Sequence, residues 1–323
     1  MVFCGVYFGA GALLFGLLLL IDPYDTGRFP SFGIVGIGDS SMRTADASRA
    51  RDPHFNAAVI GNSTGQRLDP YRLSDGSGFR FIQLSIPKLG PLEQLVLMRW
   101  VTSHHPDYGA LVLVTDPTWC SSDPDRPLDN PFPFWLYGSN IDYLANVLSA
   151  KALDRAVWRI QIALGLRQAV DPVGFTDYLR DGERPVADAP APVIQEALGE
   201  VSTRAGFPWI DRLRSFLATV PQSVRVLLVM PPVYFTALPP PGSPLAGAID
   251  ACKAALRQAV GDRPRGGFLD FRRDLAGTHD ATDFVDLVHY RHKLANQVED
   301  AIIARLRSGE VATVASPLNG RSP

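Results

Sequence analysis

The chain has 323 residues, 46% of them hydrophobic and 20% charged, which excludes a disordered, collagen-like or disulfide-scaffold protein. At roughly 150 residues per domain, this length suits about two domains or one large α/β domain. Lys and Arg number 31 against 33 Asp and Glu, a formal net charge of −2, so no basic excess is present to neutralise a nucleic-acid backbone and a DNA or RNA partner is not expected. Three cysteines, Cys4, Cys120 and Cys252, are too few for a disulfide framework or a structural zinc site. Cys120 and Cys252 are able to pair in an oxidising compartment, but two unrelated buried thiols are the simpler reading.

The first 22 residues read as a transmembrane anchor. Val2 to Ile21 is an uncharged run, and a helix of that length covers a hydrocarbon core of about 30 Å. The run ends in Asp22-Pro23-Tyr24 rather than a small-residue cleavage site, which favours a retained anchor over a cleaved leader. Gly5, Gly9, Gly11 and Gly16 would weaken a soluble helix and are more at home in lipid. Orientation is poorly determined by charge: no Lys or Arg precedes the run, and Arg28 follows it. Residues 23–55, with a Gly-rich stretch from Ser31 to Ser41, read as a linker.

Five short apolar runs then recur with helical patterns between them, the signature of an α/β domain over residues 56–307 with a mostly parallel five-stranded sheet. The strands are read as Asn56–Ile60, Phe79–Leu84, Ala110–Thr115, Val224–Met230 and Phe268–Phe271. Helices fit Pro91–Ser103, Ile141–Leu164, Val193–Ala218, Pro244–Val260 and His292–Arg307. The gap between the third and fourth strands is too long for one crossover, so residues 117–220 are expected to form a helical insertion. That insertion opens on Trp119, Phe132, Phe134, Trp135 and Tyr137, aromatics suited to stacking on sugar rings, forming a lid or anchoring the insertion. Residues 308–323 read as a disordered tail.

Gly61-Asn62-Ser63-Thr64-Gly65 ends the first strand. A serine on such a strand-to-helix turn exposes its hydroxyl at the carboxyl edge of the sheet, where open α/β folds bind ligands. A helix-capping serine is the structural alternative. Gly38-Asp39-Ser40 is a competing match, ranked lower because glycines interrupt the run before it and a charged segment follows. Near the C-terminus, Asp286-Leu287-Val288-His289 follows the last strand. The spacing is common by chance; its placement is informative, because that loop shares the sheet edge with Ser63. His289 would take the serine proton and Asp286 would orient the imidazole. His54, His104, His105, His279 and His292 read as background, and no motif points to a metal or a cofactor.

These residues resemble the SGNH (GDSL-like) hydrolase superfamily, in a membrane-anchored bacterial form related to enzymes that add or remove acyl groups on envelope polysaccharides. The first block corresponds to Gly61-Asn62-Ser63, with Asn62 in place of the family's Asp, and the last block to Asp286 through His289. Gly90 in Leu89-Gly90-Pro91 matches the glycine of the second block. The third block, Gly-x-Asn-Asp, is not reproduced: the third strand ends in Thr115-Asp116-Pro117, and Gly138-Ser139-Asn140 matches only in part. A literal Gly-x-Ser-x-Gly also invites an α/β-hydrolase reading, but this serine follows the first strand and its acid lies three residues from its base.

The resemblance implies a three-layer α/β/α sandwich of SGNH or flavodoxin-like type, anchored in the inner membrane with its catalytic domain in the periplasm. It implies a serine esterase or O-acyltransferase acting on an acylated carbohydrate or small ester, with Ser63, His289 and Asp286 as the triad and Gly90 and Asn140 as oxyanion donors. Two alternatives stay open: a non-catalytic envelope module that binds carbohydrate or assists assembly, and a lipid esterase facing the cytoplasm.

Overall fold

The structure is a computed structural model that describes residues 2–29, 36–38, 41–105, 108–121, 131–177 and 206–308. The chain is α/β. Its strands are β1 (Ala57–Ile60), β2 (Phe81–Gln83), β3 (Ala110–Val114), β4 (Arg225–Met230) and β5 (Gly266–Asp270), all parallel in the order β2-β1-β3-β4-β5. All five expected strands are present, trimmed by a residue or two except at the start of β5, which begins two residues early at Gly266.

The helices are α1 (Val2–Ile21), α2 (Met42–Arg49), α3 (Pro70–Ser77), α4 (Pro91–His104), α5 (Phe134–Tyr137), α6 (Asn140–Asn146), α7 (Ala150–Ala163), α8 (Pro208–Leu217), α9 (Pro244–Gly261) and α10 (His292–Ser308). Strands β1 to β4 are buried almost throughout, which is why they read as near-continuous apolar runs. One face of the sheet, presenting Val59, Val112 and Val229, packs with Leu73 of α3 and Leu294, Val298 and Ile302 of α10. α9 packs on β4 and β5 and on α8, and α4 packs on β1 and α8. The strand order reverses between β1 and β3, which puts a crevice at the carboxyl ends of those two strands.

The chain divides into two compact units. Residues 54–130 and 175–323 form the sheet unit; residues 1–53 and 131–174 form the other. Residues 23–55, expected as a linker, instead contribute folded structure where they are described. α2 lies in this stretch, Asp25 pairs with Arg51 (2.5 Å) and with the buried Arg159 of α7 (3.0 Å), and Asp22 accepts from Thr26 (3.0 Å) and Tyr143 (3.2 Å). Only part of the expected 117–220 insertion falls in this unit. The helix expected over 141–164 is two helices, because Ser149 caps a second one by accepting from the Ala152 N–H (3.2 Å).

α1 occupies the expected anchor segment. Its side chains are described from Val6 onward, and its last turn is drawn into the protein: Leu18 and Ile21 are buried with Ala156 of α7. Among the described residues, no helix is long and apolar enough to cross a membrane. The expected transmembrane helix is therefore not borne out at this level. The Ser40 alternative and the tail beyond Ser308 lie outside the described residues, as does the expected helix before residue 206.

Candidate active site

The nucleophile turn follows directly from β1. Both flanking glycines are required by close approach. A Cβ at Gly61 would stand 2.8 Å from Val114 Cβ, and one at Gly65 2.6 Å from Ser85 Oγ. The turn closes through the Gly65 N–H donating to the Asn62 carbonyl (3.0 Å) and continues into a short 3-10 helix, Gly65–Arg67. Asn62 shapes it from within: its Oδ1 accepts from the Thr64 N–H (3.0 Å) and Thr64 Oγ1 (2.7 Å). Its Nδ2 donates to Asp116 Oδ2, which ties the loop after β1 to the loop after β3 across the crevice.

Ser63 Oγ lies 2.8 Å from His289 Nε2, and His289 Nδ1 lies 2.6 Å from Asp286 Oδ2. The second Asp286 oxygen accepts from the backbone N–H groups of Val288 (2.9 Å) and His289 (2.8 Å), so the carboxylate is fixed by its own loop before it meets the imidazole. Burial opposes the charge on Asp286. The hydrogen bonds from the His289 ring and the Val288 N–H, with the attraction of His289, outweigh it and hold the carboxyl down at about 2. Asp286 is thus an anion across the physiological range, suited to orienting a histidine and stabilising its charged form.

Two supports were not legible as site residues in the sequence. Tyr290, fully buried, donates its hydroxyl to the Thr64 carbonyl (2.8 Å). Asp116 receives the Asn62 amide and also accepts from Thr118 N (2.9 Å) and Thr118 Oγ1. Burial raises the Asp116 carboxyl, against the pull of Thr118, Arg272 and Asn62. Tyr290 was signalled only by adjacency to His289, and Asp116 only as a departure from a motif.

Gly90 caps α4 at the end of the loop after β2. That loop is bound to the nucleophile turn: the Ile86 N–H donates to the Gly61 carbonyl (3.0 Å), and Gln66 Nε2 to the Ser85 carbonyl (3.1 Å). Among the described residues, the N–H groups of Ser63 and Gly90 donate to no other group, leaving both available to an oxyanion. Asn140 belongs to the other compact unit, where a Ser139–Asp142 capping box makes it the first residue of α6 and its Oδ1 accepts from Arg28 (2.8 Å).

Of the five other histidines, His279 meets Asp274 (2.5 Å) and His292 meets Asp177 (3.2 Å), both away from Ser63. Among the described residues, no group of three His, Cys, Asp or Glu is placed to hold a metal ion. Cys120 and Cys252, for which separate thiols were the simpler reading, form a disulfide with a Cα–Cα distance of 5.5 Å. It joins the turn after β3, four residues beyond Asp116, to α9. No family model matches the chain, and no curated protein matches it either.

Proposed function

We propose that this chain is a serine-dependent esterase or O-acyltransferase of the SGNH (GDSL-like) kind, acting on acyl esters of envelope carbohydrate. The observation that carries the reading is the relay Ser63 Oγ–His289 Nε2, His289 Nδ1–Asp286 Oδ2, at 2.8 and 2.6 Å.

In this reaction Ser63 Oγ attacks the acyl carbonyl while His289 Nε2 takes the serine proton. The carbonyl oxygen becomes an oxyanion held by the Ser63 and Gly90 N–H groups. As the tetrahedral species collapses, the bond to the leaving alcohol breaks, and His289 returns the proton to that alcohol's oxygen. Water or a sugar hydroxyl then attacks the acyl-serine with His289 again as base, giving the free acid or the transferred ester and restoring Ser63.

The uncharged α1, with Val6, Phe8 and Leu13 exposed, is proposed to attach the chain to a membrane, a role that does not require crossing it, with the sheet unit outside the cytoplasm, in the periplasm. The Cys120–Cys252 disulfide supports an oxidising compartment. The test is turnover of p-nitrophenyl acetate by the full chain in detergent, with and without an oligosaccharide acceptor. Turnover abolished by Ser63→Ala supports the reading, and acceptor-dependent acyl transfer selects the transferase. Unchanged turnover in Ser63→Ala overturns it.

A further inference from the structure

Both compact units bury charged side chains: the sheet unit encloses Glu93, Arg272 and Glu299 beside its apolar core. The other unit buries Asp22, Asp25, Asp46, Arg49 and Arg159, with Arg159 fully enclosed and paired to Asp25 at 3.0 Å. Its outside is apolar: of the fifteen large apolar residues exposed among the described residues, thirteen belong to this unit and only Tyr71 and Leu92 to the sheet unit. Six of the thirteen lie on α1. The others come from residues 134–166, including the C-terminal half of α7 and the segment that follows it.

α7 carries part of this exposed apolar surface, which runs to its C-cap Leu164. Ala152, Ala156 and Arg159 face inward, whereas Val157, Ile160 and Leu164, spaced three and four residues apart, form an exposed apolar stripe at 51%, 39% and 67% exposure. Water does not favour a contiguous hydrocarbon stripe on a surface; a lipid environment does. We propose that this unit docks on a lipid bilayer through the exposed stripe of α7 as well as through α1, with α7 lying at the boundary between headgroups and acyl chains.

Three observations select a bilayer as the occupant. The stripe lies on a helix that packs against α1, whose Leu18 and Ile21 bury with Ala156 while Phe8, Leu13 and Leu17 stay exposed. α7 has 14 residues, about 21 Å at 1.5 Å each, which suits a helix lying on a membrane rather than crossing it. Arg155 and Arg167 stack on the Trp158 ring, at 4.4 and 4.3 Å from its centroid, putting an indole and two guanidinium groups beside the stripe. Those residue types concentrate at membrane interfaces, and the guanidinium charges complement anionic headgroups.

The inference rests on the membrane attachment proposed for α1, and the test separates the two. In the full chain with Cys4→Ser, nitroxide labels are attached at Leu13→Cys, Ile160→Cys, Leu164→Cys or Ser215→Cys. Each protein is reconstituted into vesicles of phosphatidylcholine and phosphatidylglycerol. Power-saturation EPR then compares collision with oxygen, which partitions into lipid, and with a polar nickel chelate. The expected result is an oxygen-to-nickel ratio several-fold higher at 160 and 164 than at 215. Labels at 160 and 164 as open to nickel as the one at 215 overturn the proposal; the label at 13 then shows whether the α1 anchor falls with it. Dipolar broadening between labels at 160 would reveal a second copy of the chain on the stripe, and would overturn it as well.

Discussion

The hydroxyl of Tyr290 donates to the carbonyl of Thr64 at 2.8 Å, joining the residue after His289 to the residue after Ser63. This buried bond ties together the two loops that meet at the Ser63–His289 contact. Tyr290→Phe leaves the Thr64 carbonyl without this donor. The expected cost is about 1–3 kcal/mol in denaturant unfolding, with ester turnover reduced while KM changes little. Unaltered stability and turnover would show the bond to be idle.

Asn62 donates to Asp116, a bond that an aspartate at position 62 could not make. Asn62→Asp sets two carboxylates against each other and should lower both stability and activity, whereas adding Asp116→Asn restores a donor–acceptor pair in reverse. A double-mutant cycle measured by thermal unfolding and ester turnover is expected to show the double variant recovering most of the loss. Additive damage would mean that the two residues act separately.

Glu299 is buried where it accepts from the Asp69 N–H (2.7 Å) and pairs with Arg72 (3.0 Å). Burial pushes its carboxyl from 4.5 up to about 7, against those two partners. Between these values the folded chain keeps a proton that the unfolded chain has lost, so this group's contribution to stability falls as pH rises from about 4.5 to about 7. Glu299→Gln should flatten that part of the Tm-against-pH curve. Asp46, also pushed up to about 7 by burial, would supply the slope that remains. A slope identical to the parent's would rule out the assignment to Glu299.

The Cys120–Cys252 bond closes a loop across 132 positions of sequence. Reduction should lower stability by roughly 2–5 kcal/mol. It should also slow turnover, because the turn after β3 that it holds carries Asp116. Unfolding curves with and without reductant measure the first effect. A Cys120→Ala, Cys252→Ala variant that matches the reduced parent assigns it to this bond.

The sheet was readable because β1 to β4 are buried on both faces, so that apolar runs marked them. The meeting of Ser63, Asp286 and His289 was readable because all three sit in loops at strand ends, where parallel topology brings distant loops to one edge. What escaped has a common physical character. α2 and the Asp25 network lie in a stretch whose composition suits a linker, and only tertiary pairing with Arg159 gives those polar residues a buried place. The disulfide partners are far apart in sequence, and only the packing of α9 near the turn after β3 makes them neighbours.

The most direct test of the central claim is labelling of the full chain in detergent with a fluorophosphonate, with the modified residue mapped by mass spectrometry. The account predicts modification at Ser63, lost in His289→Ala and strongly reduced in Asp286→Asn. Modification at Ser40 instead, or none at all in a folded chain, would contradict it.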